Sequence, residues 1–409
     1  MDSIVAISAV MSICSCLYHL LAMICAFLFF NRKQTSDNNG PWPKVACLKP
    51  LCGYDRETRQ NLESFICQDY PHYEVIFGVK DRDDPAYPIA VDVCKDHPDR
   101  NVKVVVGEKG RGANRKVRNL RNIYDHVSPD ALILVLSDSD TRVSADYIRH
   151  MVKPLRNDPE IGAVTSIYRI EKIESSGDII EALAVETTFV PGVLLTNCFS
   201  DLQFAFGASI AVDRQAFSRV GGFEAIEDYL ADDYKIGNLI YRGNPAQPES
   251  KKFQALKNTE RSSVERGKVS GKRIVLSSYV VPIIPPGEGM FSALNHIVRW
   301  NRTIRICKPV GYFLSVACHS CFWAMACFVA AGGNLIGWTT LTATCFIRII
   351  TATAFVILIR SESGILKTLL TPIWDIVSVI LWGVGLMDNT VTWRGTRYKI
   401  LGGGKLKEI

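Results

Sequence analysis

From Ile4 to Phe30 the chain carries no charged residue, and His19 is its one strongly polar interruption. The run exceeds the ~20 apolar residues that span a bilayer and the roughly 7 to 15 of a signal-peptide core, so residues 4–30 read as a retained transmembrane anchor. Inside hydrocarbon its peptide groups must pair within the segment, which restricts it to a helix. Asn31, Arg32 and Lys33 follow it, whereas Asp2 is the only charged side chain before it. The positive-inside rule then places the amino terminus outside and the bulk of the chain in the cytosol, where nucleotide-activated substrates are found.

The carboxyl-terminal part is apolar again. Val310 to Ala331 and Leu335 to Ile359 are long enough to span, although Arg348 interrupts the second and must face protein, water or a head group. Leu369 to Met387 is a weaker third candidate, broken by Pro372 and Asp375. Basic residues flank it on both sides, Arg360 and Lys367 before, Arg394, Arg397 and Lys399 after. That symmetry disfavours a simple crossing and points to a re-entrant or interfacial segment. The expectation is a multi-pass membrane protein with two or three helices over 310–388 and a basic cytosolic tail, 389–409.

A net charge of +6 is too small to argue for a nucleic-acid partner, and the basic residues gather beside the apolar segments, as at a membrane surface. Among the thirteen cysteines, Cys14, Cys16, Cys25, Cys318, Cys321, Cys327 and Cys345 lie in apolar stretches, where a thiol behaves as a small hydrophobe. A cytosolic location disfavours disulfides, and Cys318-His319-Ser320-Cys321 lacks the second pair that a metal or redox motif would need.

After a polar linker, 31–43, the pattern becomes strand and helix in alternation. Val45 to Leu48, Tyr73 to Val79 and Val102 to Val106 read as strands, and Glu57 to Ile66 and about Ile89 to Cys94 as helices. Within Leu132 to Val143 an apolar, fully buried strand runs straight into Ser137, Asp138, Ser139, Asp140 and Thr141, which favour a turn. This order argues a parallel, doubly wound α/β sheet, in which ligands bind outside the carboxyl ends of the strands. Asp138 and Asp140 stand two apart, so an extended backbone would put both on one side, able to share a hard divalent cation with a diphosphate. Taken alone, an Asp-x-Asp pair is more often a solvated turn.

Other clusters strengthen the first reading. The second strand ends at Lys80-Asp81-Arg82-Asp83-Asp84, on the same sheet edge. Between the two acid clusters, Gly110 to Leu120 sets glycines before a basic helix, with Arg115 and Lys116 able to face a phosphate. Further on, Glu227 to Tyr234 (EDYLADDY) is too acidic for core and adjoins an apolar helix, Ile236 to Ile240, that would fix a general base. The same acids would also suit a helix amino terminus. Phe204 to Val212 reads as a strand whose Gly207 and Ala208 allow close approach to the backbone. Trp300 suits stacking on a sugar or lipid head, or a place at the membrane interface. Arg242 to Arg273 is rich in Lys, Arg, Ser, Glu and Pro, and reads as an inserted, disordered basic loop, about 243–272, within a cytosolic domain spanning 44–306.

These pieces, in order, resemble the ceramide glucosyltransferase family and the related bacterial hopanoid glycosyltransferases. They are Lys49-Pro50-Leu51-x-Gly53, Asp81 with Asp83-Asp84-Pro85-Ala86, Asn114-x-Lys116-Val117-x-Asn119-Leu120, Asp138-Ser139-Asp140-x-Arg142-Val143, Gly221-Gly222-Phe223, Ala231-Asp232-Asp233-Tyr234 and Arg299-Trp300. The tail Trp393-Arg394-Gly395-Thr396-Arg397-Tyr398 also matches. The resemblance implies a type-A glycosyltransferase domain, Rossmann-like and nucleotide-sugar-binding, flanked by transmembrane helices.

It implies transfer of a hexose or N-acetylhexosamine from a UDP-sugar to a hydroxyl of a membrane lipid, ceramide or hopanoid, with inversion. Asp81 would contact the nucleotide. Asp138 and Asp140 would hold the diphosphate's Mg²⁺ or Mn²⁺, and Asp233 would be the base, with Asp232, Asp228 and Glu227 as rivals. Lys116, His296, Arg299 and Trp300 would bind substrate. The family closes its signature with Arg or Gln, two residues, then Arg-Trp; here His296 stands first, and His296 to Arg305 leans towards the hopanoid branch. A processive polysaccharide synthase usually carries Gln there and more spans. A non-enzymatic membrane scaffold would have no use for carboxylates at three sheet-edge positions.

Overall fold

The apolar run expected as an anchor forms one unbroken helix, Asp2–Phe30. It is one of four helices long and apolar enough to cross a membrane among the described residues, the others being Ser176–Phe199, Leu335–Leu358 and Leu366–Met387. A bent pair, Pro309–Cys318 and Ser320–Ala330, meets at 56° where one straight span was expected. The computed structural model describes residues 2–32, 40–243, 271–393 and 395–409. Most of the expected linker 31–43, the basic insertion at 243–272 and Arg394 lie outside the described residues.

Contacts divide the chain into two compact units, 36–166 with 201–279, and 1–35 with 167–200 and 280–409. Residues 167–200 and 280–306, expected within the domain 44–306, thus cluster with the apolar helices. Ser176–Phe199 is not among the expected spans, and Asp178, Glu181 and Glu186 interrupt its apolar run. Within its unit Glu186 is fully buried and accepts from Lys367 Nζ (2.6 Å), Ser361 Oγ (2.7 Å) and the Ile170 amide (3.0 Å), which satisfies the charge.

The two charges that weakened the carboxyl-terminal candidates also answer each other. Arg348 Nε lies 3.1 Å from Asp375 Oδ1, both side chains buried, and Asp375 further accepts from Ser320 Oγ and the Cys321 amide. Arg348 thus faces protein, one of the three surroundings expected for it. All thirteen cysteines are free thiols.

In the other unit the strands are β1 (Val45–Pro50), β2 (Tyr73–Val79), β3 (Val102–Val106), β4 (Ile133–Ser137) and β5 (Ile161–Thr165). After β6 (Tyr168–Ile170), which pairs with β9 (Val281–Ile283) in the membrane unit, come β7 (Ser209–Asp213) and β8 (Arg273–Leu276). The seven-stranded sheet runs β3-β2-β1-β4-β7-β5-β8. Helices Thr58–Ile66, Ala86–Asp96 and Arg115–Tyr124 link the first four strands, all parallel. Such crossovers cover both faces, which is why β1 and β4 are buried along almost their whole length. Leu132, expected to open the buried strand, is 58% exposed and stands just outside β4.

The sheet is mixed rather than wholly parallel: β7 runs antiparallel to both β4 and β5. Its strand begins at Ser209, so Phe204 to Ala208, expected as strand, are loop. This reversal has a consequence for the site. Ser209 pairs with Ser137, which brings Gly207 and Ala208 to the edge where β1, β2 and β4 end.

Candidate active site

Beyond Ser137 the chain turns sharply, so Asp138-Ser139-Asp140 is the turn its residues favour and not an extended segment that would set both carboxylates on one side. Thr141 closes it, its amide and hydroxyl both donating to Asp138 O at 3.4 and 2.8 Å. Lys49, delivered by β1 and 1% exposed, donates from Nζ to Asp138 O (2.5 Å) and Thr141 Oγ1 (2.9 Å), and its ammonium lies over the Phe65 ring. Burial pulls the Lys49 pKa down to about 7, against the nearby carboxylates of Asp140, Asp138 and Asp55. With the main-chain carbonyl of Asp138 engaged in this way, its carboxylate is left for other work.

That carboxylate meets Lys116. The helix Arg115–Tyr124 begins where the side chain of Asn114 accepts from the Val117 amide, and this cap fixes Lys116 in the first turn. Lys116 Nζ lies 2.6 Å from Asp138 Oδ1 and 3.5 Å from Asp232 Oδ2. Burial opposes its charge, but Asp138, Asp232 and Asp233 outweigh burial and hold its pKa above the ordinary lysine value.

Asp232 and Asp233 occupy the first turn of the helix Asp232–Arg242. Asp232 is buried, Asp233 half-buried. Burial, followed by the charge of Asp232, pushes Asp233 up to about 7, with Lys116 pulling the other way. Asp232 is raised as well, chiefly by burial. A Cβ at Gly207 would stand 3.0 Å from Asp233 Oδ2, so the glycine admits this carboxylate. Pro50, Lys116, Ser137, Gly207, Asp232 and Asp233 line one cleft.

Of the rival acids, Asp232 stays in the cleft, whereas Glu227 and Asp228 have other commitments. Glu227 Oε2 pairs with Arg121 Nη1 at 2.8 Å, its carbonyl accepts from the Asn114 amide, and Asp228 Oδ1 accepts from the Ala113 amide at 3.0 Å. A Cβ at Gly112 would lie 2.3 Å from Glu227 O, so the loop before Lys116 closes onto this segment only with glycine. Glu227 and Asp228 thus seat the basic loop, a role no sequence pattern announced.

Asp81 follows the end of β2, half-exposed, with Lys80 at 3.4 Å, and does not line the cleft. Its neighbour Asp84 accepts from the amide of Gly53, whose φ of 74° makes the turn after β1, and from that of Ala86. Asn119 Nδ2 donates to Gly78 O (2.9 Å) and Leu51 O (3.3 Å), joining the ends of β1 and β2. Among the described residues no three His, Cys, Asp or Glu gather as a metal site. Asp138 and Asp140 nevertheless supply the chemistry a Mg²⁺ or Mn²⁺ takes when diphosphate and water complete its shell, since such ions use one or two carboxylates.

The remaining expected site residues belong to the membrane unit. On the helix Met290–Cys307, His296 Nδ1 lies 2.7 Å from Glu181 Oε1, and its ring centroid 4.4 Å from that of Trp300. Trp300 packs against a cluster of Leu183, Ala184, Ile297, Trp374 and Leu381. Arg299 is half-buried on the same helix. Arg302 and Arg305, part of the hopanoid-like series, donate to the carbonyls of Thr390 (2.6 Å) and Leu386 (2.7 Å).

The sequence profile of glycosyl transferase family 21 matches residues 4–266 and 263–406. This chain belongs to that family. Ceramide glucosyltransferase 3 of Caenorhabditis elegans is 26% identical over 70% of this chain and 64% of its own length, so the match spans just under two thirds of that relative. Ceramide glucosyltransferase 1 of the same organism is 24% identical over 96% of this chain and 78% of its own. A mannosyltransferase from Pyrobaculum calidifontis, solved with GDP-Man and Mn²⁺, shares the fold at 17% identity with a TM-score of 0.55, covering 92% of this chain and 98% of that one. In this family 21 chain the motif residues fall into two groups. Lys116, Asp232 and Asp233 line the cleft and Asp138 pairs with Lys116, whereas Lys49, Gly53, Asp84, Asn114 and Asn119 build the loops that carry them.

Proposed function

We propose that this chain transfers a hexose from a UDP-sugar to a hydroxyl of ceramide, with inversion. The observation that carries the reading is the meeting of Lys116, Asp138, Asp232 and Asp233 at the carboxyl edge of the sheet in a family 21 chain. Asp233, pushed up to about 7, is matched to taking a proton from a hydroxyl near neutral pH. A single base acting in one displacement inverts the anomeric carbon. Lys116 offers positive charge to a leaving diphosphate, and Asp81, half-exposed beyond β2, is assigned to the nucleotide.

Asp138 and Asp140 would hold a Mg²⁺ or Mn²⁺, which when bound neutralises charge on the diphosphate. His296, Arg299 and Trp300 are assigned to substrate on the membrane side. The membrane-candidate helices suit a lipid acceptor, and the flanking basic residues suit a catalytic unit in the cytosol. Ceramide is favoured over a hopanoid because the relatives above are named for ceramide.

The test is a lipid assay. Membranes from a host lacking glycosylated lipids, expressing the full chain, receive ceramide or bacteriohopanetetrol with each UDP-sugar and Mg²⁺ or Mn²⁺, and products are identified by mass spectrometry. The expected product is a hexosylceramide, absent from Asp233→Asn. An N-acetylhexosaminyl hopanoid or a long sugar polymer as the product would overturn the assignment.

A further inference from the structure

The tail expected to be a basic extension is a small antiparallel sheet, β10 (Thr390–Trp393), β11 (Thr396–Ile400) and β12 (Leu406–Glu408). Alternation sorts its side chains by face. Val391, Tyr398, Ile400 and Leu406 are buried, whereas Arg397, Lys399 and Lys407 are exposed. Register makes the outer face more unusual than composition does. Lys399 stands directly opposite Lys407, with Arg397 two residues along on the same face and Thr392 opposite it.

Like charges facing each other across a strand pair are destabilising, and no acidic residue occupies a paired position on that face to relieve them. The arrangement gains nothing for the sheet itself and becomes favourable when an anion covers it. We infer that the outer face of this sheet is a binding platform for anionic lipid head groups.

Two observations select lipid over other anions. β10 starts two residues after the candidate span Leu366–Met387, so the platform follows the end of a helix long and apolar enough to cross a membrane. Arg302 and Arg305 hold that junction by donating to Thr390 O, Leu386 O and Asp388 O, at 2.6, 2.7 and 2.9 Å. The face is also bordered by exposed apolar side chains, Met387 (82%), Leu401 (42%) and Ile409 (58%). Basic residues beside exposed apolar ones suit the boundary between head groups and acyl chains.

The inference stands apart from the proposed reaction and is tested without it. The full chain, in uncharged detergent micelles, is titrated with dioctanoyl phosphatidylserine, dioctanoyl phosphatidylcholine and inorganic phosphate. Saturable binding of phosphatidylserine alone is expected, weakening with salt as surface charge pairing does. Lys399→Gln with Lys407→Gln should weaken it by at least about tenfold, since each basic residue near a charged surface contributes substantially. Lys399→Arg with Lys407→Arg should retain it, which separates lost charge from a disturbed sheet. Undiminished phosphatidylserine binding in the glutamine variant, equal binding of phosphatidylcholine, or equally tight binding of inorganic phosphate would each overturn the assignment.

Discussion

Lys116 Nζ lies 2.6 Å from Asp138 and 3.5 Å from Asp232, so one ammonium ties the turn after β4 to the helix that carries Asp233. Lys116→Met would remove the ammonium that stands between these carboxylates. The expected cost is about 2 kcal/mol, between that of a surface pair and that of a buried pair, because Asp138 retains some exposure. Thermal unfolding of the detergent-solubilised chain measures it, and an unchanged midpoint would mean that the contact contributes nothing to holding the edge together.

Asp233→Asn should lower turnover about a hundred- to ten-thousandfold, the usual range for a general base, while the unfolding midpoint holds or rises. The pH dependence has a definite sign. Asp233 is raised from its ordinary value to about 7, so the folded chain binds the proton more tightly than the unfolded one. Its contribution to stability is therefore full below about 4 and is lost as pH rises towards 7, while activity that needs the ionised form increases over the same interval. Replacement by asparagine should flatten both trends; a pH profile unchanged in the variant would assign the base elsewhere.

His296 and Glu181 form a second test. Glu181 is buried, so His296→Ala leaves a carboxylate without this partner at a cost of about 1–3 kcal/mol. His296→Gln keeps a donor and should cost less. A double-mutant cycle with Glu181→Gln is expected to give a coupling of about 0.5–3 kcal/mol. Strict additivity would show that the 2.7 Å contact is energetically idle.

Arg348 and Asp375 should behave as a buried pair. Either Arg348→Leu or Asp375→Leu alone is expected to destabilise by about 3–5 kcal/mol, since each strands a charge among apolar helices, and the double variant should recover most of the loss. Unfolding midpoints of the three variants decide the matter. If the double variant is as damaged as the two singles added together, the pair is not the reason these charges are tolerated.

The anchor, the strands β2 and β3 and the acid clusters could be read directly from the chain, because burial against water or lipid leaves an apolar period that needs no knowledge of partners. What pairs with what could not. In the sequence Asp375 breaks an apolar run, but in the fold it pairs with Arg348, and Glu186 within Ser176–Phe199 is neutralised by Lys367.

At this sheet edge, local pattern and the family resemblance single out Asp138, Lys116 and Asp233, yet the reversal of β7 that brings Gly207 against Asp233 is a matter of strand order. So is the commitment of Glu227 and Asp228 to the loop before Lys116. Local sequence encodes burial and turn chemistry, which depend on a residue and its near neighbours. The neutralisation of charge and the direction of a strand depend on groups tens to hundreds of residues away, and only the folded chain brings them into contact.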